Sequence, residues 1–137
     1  MSDSLSMSVP SKPEYVSVAR LTASAVASRM GFNIEEIEDI KVAVAEACTN
    51  AIRHGNCTNC VNFDITFQMD EEKLTIDITD YGNGFCCNEL KDPDLSSPKE
   101  GGLGIFIIKS LMDEVEFISD LGKGTTIKMI KYLGVGF

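Results

Sequence analysis

Leu5, Met7 and Val9 alternate with Ser4, Ser6 and Ser8, the period of a strand with one buried face. The period then lengthens. "SKPEYVSVARLTASAVASRMG" spaces its apolar positions as a helix does, with Ser11 and Glu14 at capping-box separation, Pro13 in the first turn and Gly31 placed to end it. A second start signal, Asn33 with Glu36 three residues on, opens "NIEEIEDIKVAVAEACTNAIRH", and Gly55 closes it. Val61, Phe63, Ile65, Phe67 and Met69 next alternate with Asn62, Asp64, Thr66 and Gln68; after a charged turn Leu74, Ile76 and Ile78 do the same, which predicts an antiparallel hairpin with one wet face. From Asp80 to Gly102 there is no period, helical spacing resumes in "LGIFIIKSLMDE", and two strands around "EVEFISD" and "TTIKMIKYL" are joined by "LGKG". The predicted fold is an α/β (α+β) two-layer sandwich, a mixed, largely antiparallel sheet with helices on one face. A roughly twenty-residue irregular loop inside such a domain is more often a functional lid than plain connection.

Length and charge narrow the function. The 137 residues fit one domain, 1–137. No apolar stretch approaches the roughly 20 residues that span a bilayer, and "MSDSLSMSVPSKPEY" lacks the basic and apolar regions of a signal peptide, so the expectation is a cytoplasmic protein without membrane contact. A net charge of −9 argues against direct nucleic-acid binding, which rests on clustered Lys and Arg. Five cysteines, at 48, 57, 60, 86 and 87, suit reduced thiols, with Cys48 buried, better than a disulfide framework or a zinc site.

Three polar features remain. On the second helix Glu46 and Asn50 stand four residues apart, on one face, and His54 continues the row. Ala43, Ala47 and Ala51 flank them and would leave room for a ligand, although backbone hydrogen bonds alone could also satisfy the pair. His54 lies in the last turn, where an imidazole can bond free carbonyls. In "DITDYGNGF", Asp80 ends an alternating strand and can accept from an exocyclic amino group, while Gly82 and Gly84 let backbone pass close to a flat ring. In "EGGLGIF", Gly101, Gly102 and Gly104 are placed to open a helix whose free amides make an anion site. Each pattern alone also fits an ordinary turn or helix join.

Their order resembles that of the GHKL (Bergerat-type) ATP-binding fold, shared by type II topoisomerases, a heat-shock chaperone, histidine kinases and mismatch-repair ATPases. The resemblance implies ATP and Mg2+ as cofactors: Asn50 would hold the magnesium, Asp80 would read adenine, and a lid at about 86–102 with Gly101, Gly102, Leu103 and Gly104 would cover the triphosphate. Thr126 in "GKGTTIKM", in preference to Thr125, matches the strand threonine that supports the adenine contact. Longer runs, "PEYVSVARLTASAVASRMG", "EIEDIKVAVAEACTNA", "EGGLG" and "LMDEVEF", are similar to segments of the anti-sigma serine kinases of Gram-positive bacteria. P-loop and eukaryotic-type kinase signatures are absent.

That likeness implies a homodimer that binds a sigma factor and phosphorylates a serine of an anti-anti-sigma factor. Glu46, one turn from Asn50, would be the base, and Arg20 a partner contact or a merely solvated charge. One departure stands out. The stretch Cys86 to Glu100 contains no arginine, so Lys99 would serve the γ-phosphate as a mobile charge, or backbone amides would carry it. Two other readings are a nucleotide-holding anti-sigma module without kinase activity and a histidine-kinase-type ATPase domain.

Overall fold

The computed structural model describes residues 2–54, 62–81, 98–120 and 124–134, with backbone alone at residue 54, residues 98–102 and residue 120. Among them five strands, β1 (Asp3–Pro10), β2 (Asn62–Met69), β3 (Lys73–Asp80), β4 (Glu114–Asp120) and β5 (Gly124–Tyr132), form one sheet in the order β1-β2-β3-β5-β4. Every pairing is antiparallel. The register puts Phe63, Ile65 and Phe67 of β2 beside Asp80, Ile78 and Ile76 of β3, and these beside Thr125, Ile127 and Met129 of β5, all on one face. That face is the core. The opposite face carries the serines of β1 and the polar positions of β2, where Ser6 and Thr66 hydroxyls meet at 3.3 Å and Asn62 Nδ2 donates to Ser8 Oγ at 2.9 Å.

Three helices, α1 (Val16–Met30), α2 (Ile34–His54) and α3 (Pro98–Leu111), contribute to the same core through Ala19, Ala23, Val26 and Ala27, through Ile40, Ala43, Val44, Ala47, Cys48 and Ala51, and through Ile108. Small residues on the facing sides of α1 and α2 let the two helices lie close while Ile40 and Val44 fill the space beneath.

The ends of these elements show which local signals acted. Asn33 and Glu36 form their capping box, Asn33 N–H donating to Glu36 Oε1 at 2.9 Å and Glu36 N–H to Asn33 Oδ1 at 2.7 Å. Gly31 sits at φ 103°, and the bonds Gly31 N–H to Ser28 O and Phe32 N–H to Ala27 O close α1 as a Schellman turn. The box expected from Ser11 and Glu14 is not made: a 3-10 turn, Pro13–Tyr15, leads into α1, and no side chain caps either helix start. The predicted last helix is displaced toward its N-terminus. It runs from Pro98 and stops at Leu111, because Asp113 N–H bonds Ile130 O and Asp113 Oδ2 accepts from Tyr132 N–H, which ties the following residues to β5. Lys131 donates to the Leu111 carbonyl at 2.6 Å and anchors that helix end.

Candidate functional site

Burying Ile40, Val44, Ala47, Cys48 and Ala51 fixes the rotation of α2 and leaves the neighbouring stripe of Glu46 and Asn50 half-buried at its side. A cleft of about 250 Å³ opens there, lined by Glu46, Thr49, Asn50 and Arg53 of α2 and by Leu103, Gly104 and Ile107 of α3. The two walls touch at one point. A Cβ at Gly104 would lie 3.1 Å from Glu46 Oε1, so the absence of a side chain lets α3 approach the carboxylate closely. Four residues singled out in the sequence, Glu46, Asn50, Leu103 and Gly104, therefore share one cleft.

Two expectations about this stripe change. Ala43, Ala47 and Ala51 do not make room for a ligand; they are buried in the core, where their size serves helix packing. The stripe continues to Arg53, which sequence reading passed over in favour of His54, whose side chain lies outside the described residues. The signal was present: Arg53 is seven residues from Glu46 and three from Asn50, spacings that share a helix face.

Asp80 ends β3 on the core face, only 6% exposed, between Phe63 on β2 and Thr125 on β5. Burial pushes its pKa up to about 6 against the lowering effect of the Thr125 backbone hydrogen bond, and Oδ1 is buried with no partner. An orphaned carboxylate oxygen is costly and calls for a donor. Asp80 does not line the α2–α3 cleft, but it ends the strand against which α2 packs. The next residue turns away: Tyr81 donates its hydroxyl to Asp64 Oδ2 at 2.6 Å on the opposite face. Gly124 fits against this strand end at φ 92°, where a Cβ would collide with the Asp80 carbonyl oxygen and lie 2.8 Å from Tyr81 Cα.

The assignment of Thr126 is corrected. Its register partner is Thr79, the two hydroxyls bond at 2.8 Å, and both face away from Asp80; Thr125 is the threonine paired with Asp80. In a strand, a shift of one residue reverses the face. The glycine-rich segment is corrected as well. Gly101, Gly102 and Gly104 lie inside α3, which begins at Pro98, so Gly102 and Gly104 come after the first turn and its free amides. Lys99 belongs to the first turn by backbone alone, Arg20 is exposed on α1, and Gly82, Gly84 and the four cysteines other than Cys48 lie outside the described residues. Cys48 is buried, with its thiol pushed up to about 12 by desolvation, which suits packing and not chemistry.

A half-buried polar stripe beneath a closely packed helix, with a buried carboxylate at the end of an adjoining strand, describes a ligand-binding α+β layer. Residues 9–131 match the histidine kinase-like ATPase domain, and the chain belongs to that family. A Bacillus velezensis protein called Serine-protein kinase RsbW is 42% identical over 141 residues, covering 96% of this chain and 86% of the relative. A protein of the same name from Bacillus cereus is 39% identical over 139 residues with the same coverage. The fold is similar, at TM-score 0.73 and 18% identity, to a crystal structure of the RsbU and RsbW domains of Rv1364c from Mycobacterium tuberculosis, covering 96% of this chain and 32% of that one.

The residues present fit the ligands of such a family. Asp80 Oδ1 lacks the donor that an adenine amino group would supply. Among the described residues no cluster of three or more His, Cys, Asp or Glu could enclose a metal. Magnesium needs no such cage, because substrate phosphates and water supply most of its octahedron, and the amide oxygen of Asn50 in the cleft fits that sparse demand.

Proposed function

We propose that this chain is an ATP-dependent serine-protein kinase that is also an anti-sigma factor: it sequesters a sigma-B-type sigma factor and uses Mg-ATP to phosphorylate a serine of an anti-anti-sigma factor. The observation that carries this reading is the placement of Glu46 beside Asn50 in one cleft, with Gly104 of α3 against the carboxylate. The relatives named as serine-protein kinases cover nearly the whole chain and supply the acceptor class.

Asp80 Oδ1 accepts from the adenine amino group, held in place by the Thr125 backbone N–H. Asn50 offers an amide oxygen to magnesium, which when bound offsets charge on the phosphate oxygens. Glu46 takes the proton of the acceptor serine as its oxygen attacks the γ-phosphorus of ATP; the bond from γ-phosphorus to the β,γ-bridging oxygen breaks and ADP leaves. Half burial suits Glu46 to this work, since a second protein can reach its carboxylate while water is partly excluded from it.

The charge of −9 steers association with a basic sigma-factor surface. Arg20, exposed on α1 between exposed Val18 and Leu21, offers a partner contact. The working form is a homodimer of single 1–137 domains, each with an ATP lid at about 86–102, acting in the cytoplasm; among the described residues no helix is long and apolar enough to cross a membrane.

The test is single-turnover transfer from labelled ATP to a purified anti-anti-sigma partner. Acid-stable label on serine is the expected result, and Glu46→Gln should slow transfer by a factor on the order of 10² while leaving ATP and sigma binding intact. Acid-labile label would point to histidine, and sigma binding without any transfer to a module that only holds nucleotide.

A further inference from the structure

Tyr81 follows the buried carboxylate of Asp80 directly, yet its side chain lies on the other face of the sheet. Both ladders that hold β3 stop at Asp80, opposite Phe63 on β2 and Thr125 on β5. A strand end with no further rungs opens easily unless something else ties it down. Here the tie is the Tyr81 hydroxyl, which donates to Asp64 Oδ2 at 2.6 Å. We infer that Tyr81 is a positioning residue for adenine: its bond to Asp64 holds the end of β3 so that the Asp80 carboxylate stays where it meets the exocyclic amino group. This role rests on the nucleotide reading above.

The bond braces two strands. Asp64 lies on β2 opposite Thr79, one residue before Asp80, so the tyrosine side chain reaches back over the face away from the helices and pins β3 from the side that Asp80 does not use. Gly124, at the start of β5, blocks movement the other way. A Cβ there would lie 2.8 Å from Tyr81 Cα and collide with the Asp80 carbonyl oxygen, so the backbone of these two residues already sits hard against β5. Packing does not explain the tyrosine, since it is 54% exposed. Its main contact is a phenol-to-carboxylate bond of the short, charge-assisted class. That bond pushes the hydroxyl above the ordinary phenol value, so Tyr81 keeps its proton and remains the donor. An acceptor fixed in this way has less freedom to lose when the base arrives, which is how preorganisation adds affinity.

The rival role is an ordinary surface hydrogen bond, which contributes to folding and nothing to recognition. It predicts a lower melting temperature in a variant and equal effects on every nucleotide. Positioning predicts a selective loss, confined to ligands whose base offers an amino group to Asp80.

Calorimetric titration of Mg-ATP, and of the magnesium complex of purine riboside triphosphate, which lacks that amino group, decides between them. The proteins are wild type, Tyr81→Phe, Asp64→Ala, Asp64→Asn and the double variant of Tyr81→Phe with Asp64→Ala, each also melted thermally. Wild type should prefer ATP by roughly tenfold to a hundredfold, the worth of the Asp80 contact. Tyr81→Phe and Asp64→Ala should each weaken ATP binding by about threefold to tenfold and leave purine riboside triphosphate within about twofold, so that the preference shrinks. The double variant should lose no more than either single one, because both changes remove the same bond. Asp64→Asn keeps an acceptor oxygen and should retain most of the ATP affinity. An unchanged preference for ATP in Tyr81→Phe overturns the inference, whether both affinities stay or both fall with the melting temperature, and so do losses that add in the double variant. A wild type that binds the two nucleotides equally, or neither, overturns the assignment of Asp80 to adenine, and the role of Tyr81 with it.

Discussion

The two ends of the site are built in opposite ways. At the sheet end, one carboxylate is buried between Phe63 and Thr125, with an oxygen that has no partner and a pKa displaced to about 6. At the helix end, Glu46 and Asn50 are half-buried, Arg53 is exposed, and the facing wall is a helix with three glycines in its first half. The sheet end is assembled before any ligand arrives and carries a standing cost in stability, since burying an unpaired charged oxygen is unfavourable. The helix end keeps its charges wet, and its facing helix holds glycines that each cost about 1 kcal/mol relative to alanine. On the proposed function the fixed acceptor suits recognition of a base, and the half-exposed end suits phosphoryl transfer, which must admit a second protein.

The largest expected effect comes from breaking the fixed end. Gly124 adopts φ 92°, and a Cβ there collides with the carbonyl oxygen of Asp80 itself. Gly124→Ala combines a left-handed backbone with a backbone clash that no rotamer change relieves, so the loss of stability should be on the order of 4 kcal/mol in denaturant unfolding. A variant as stable as wild type would show that this strand end adapts as easily as α3, and the contrast between the two ends would fail.

Next in size is Asp80→Asn, which should separate stability from binding. The folded state raises the Asp80 pKa from 3.8 to about 6, so between those values the folded protein binds more protons than the unfolded chain. Stability from this group is therefore greatest below the unfolded value and falls as pH rises toward about 6; above that, the charged carboxylate leaves the protein less stable by on the order of 2 to 3 kcal/mol. Asparagine carries no such charge. Thermal melts should show Asp80→Asn more stable than wild type at pH 8, with the gap closing toward pH 4, while calorimetry shows ATP binding weakened by roughly tenfold to a hundredfold. Wild-type ATP affinity should decline as pH falls below about 6, and that decline should vanish in the variant. If the variant is less stable at pH 8, the buried oxygen has a partner that stabilises it.

How much of this was legible in the sequence follows from the kind of signal each residue gives. Period-two runs located β1, β2 and β3, whose apolar positions alternate with polar ones so that the pattern is written at every second residue. The stripe on α2 was legible for the same reason at period 3.6. Errors fell where one residue decides. Between Thr125 and Thr126 the choice turns on strand register, which is set by pairing with β3 and not by local composition. The start of α3 turned on whether glycines open a helix or lie within it, and Pro98, a favoured first helical residue, outweighed three poor helix formers. Arg53 escaped notice because an arginine near a helix end already has an ordinary explanation, and only the cleft shows what it faces.

The smallest effect sharpens the comparison most, because two physical terms oppose each other at Gly104. Alanine in the interior of α3 should favour the helix by up to about 1 kcal/mol, as any glycine-to-alanine change in a helix does. Its Cβ would stand 3.1 Å from Glu46 Oε1, tighter than ordinary contact, and the neighbour is the end of a flexible side chain that can move by a few tenths of an ångström. Stability should therefore stay level or rise slightly in Gly104→Ala. The cost should instead fall on the carboxylate, displaced from the position in which the proposed mechanism has it meet the serine hydroxyl. Phosphotransfer should slow by roughly tenfold, because a base acts only at hydrogen-bond distance from the proton it takes. ATP affinity should stay near wild type, since Asp80 and Asn50, the residues proposed to hold the nucleotide, are untouched. A variant that is more stable and equally fast would show that Glu46 works from another position, whereas one that is less stable would show that α3 rests rigidly on α2, as firmly fixed as the sheet end.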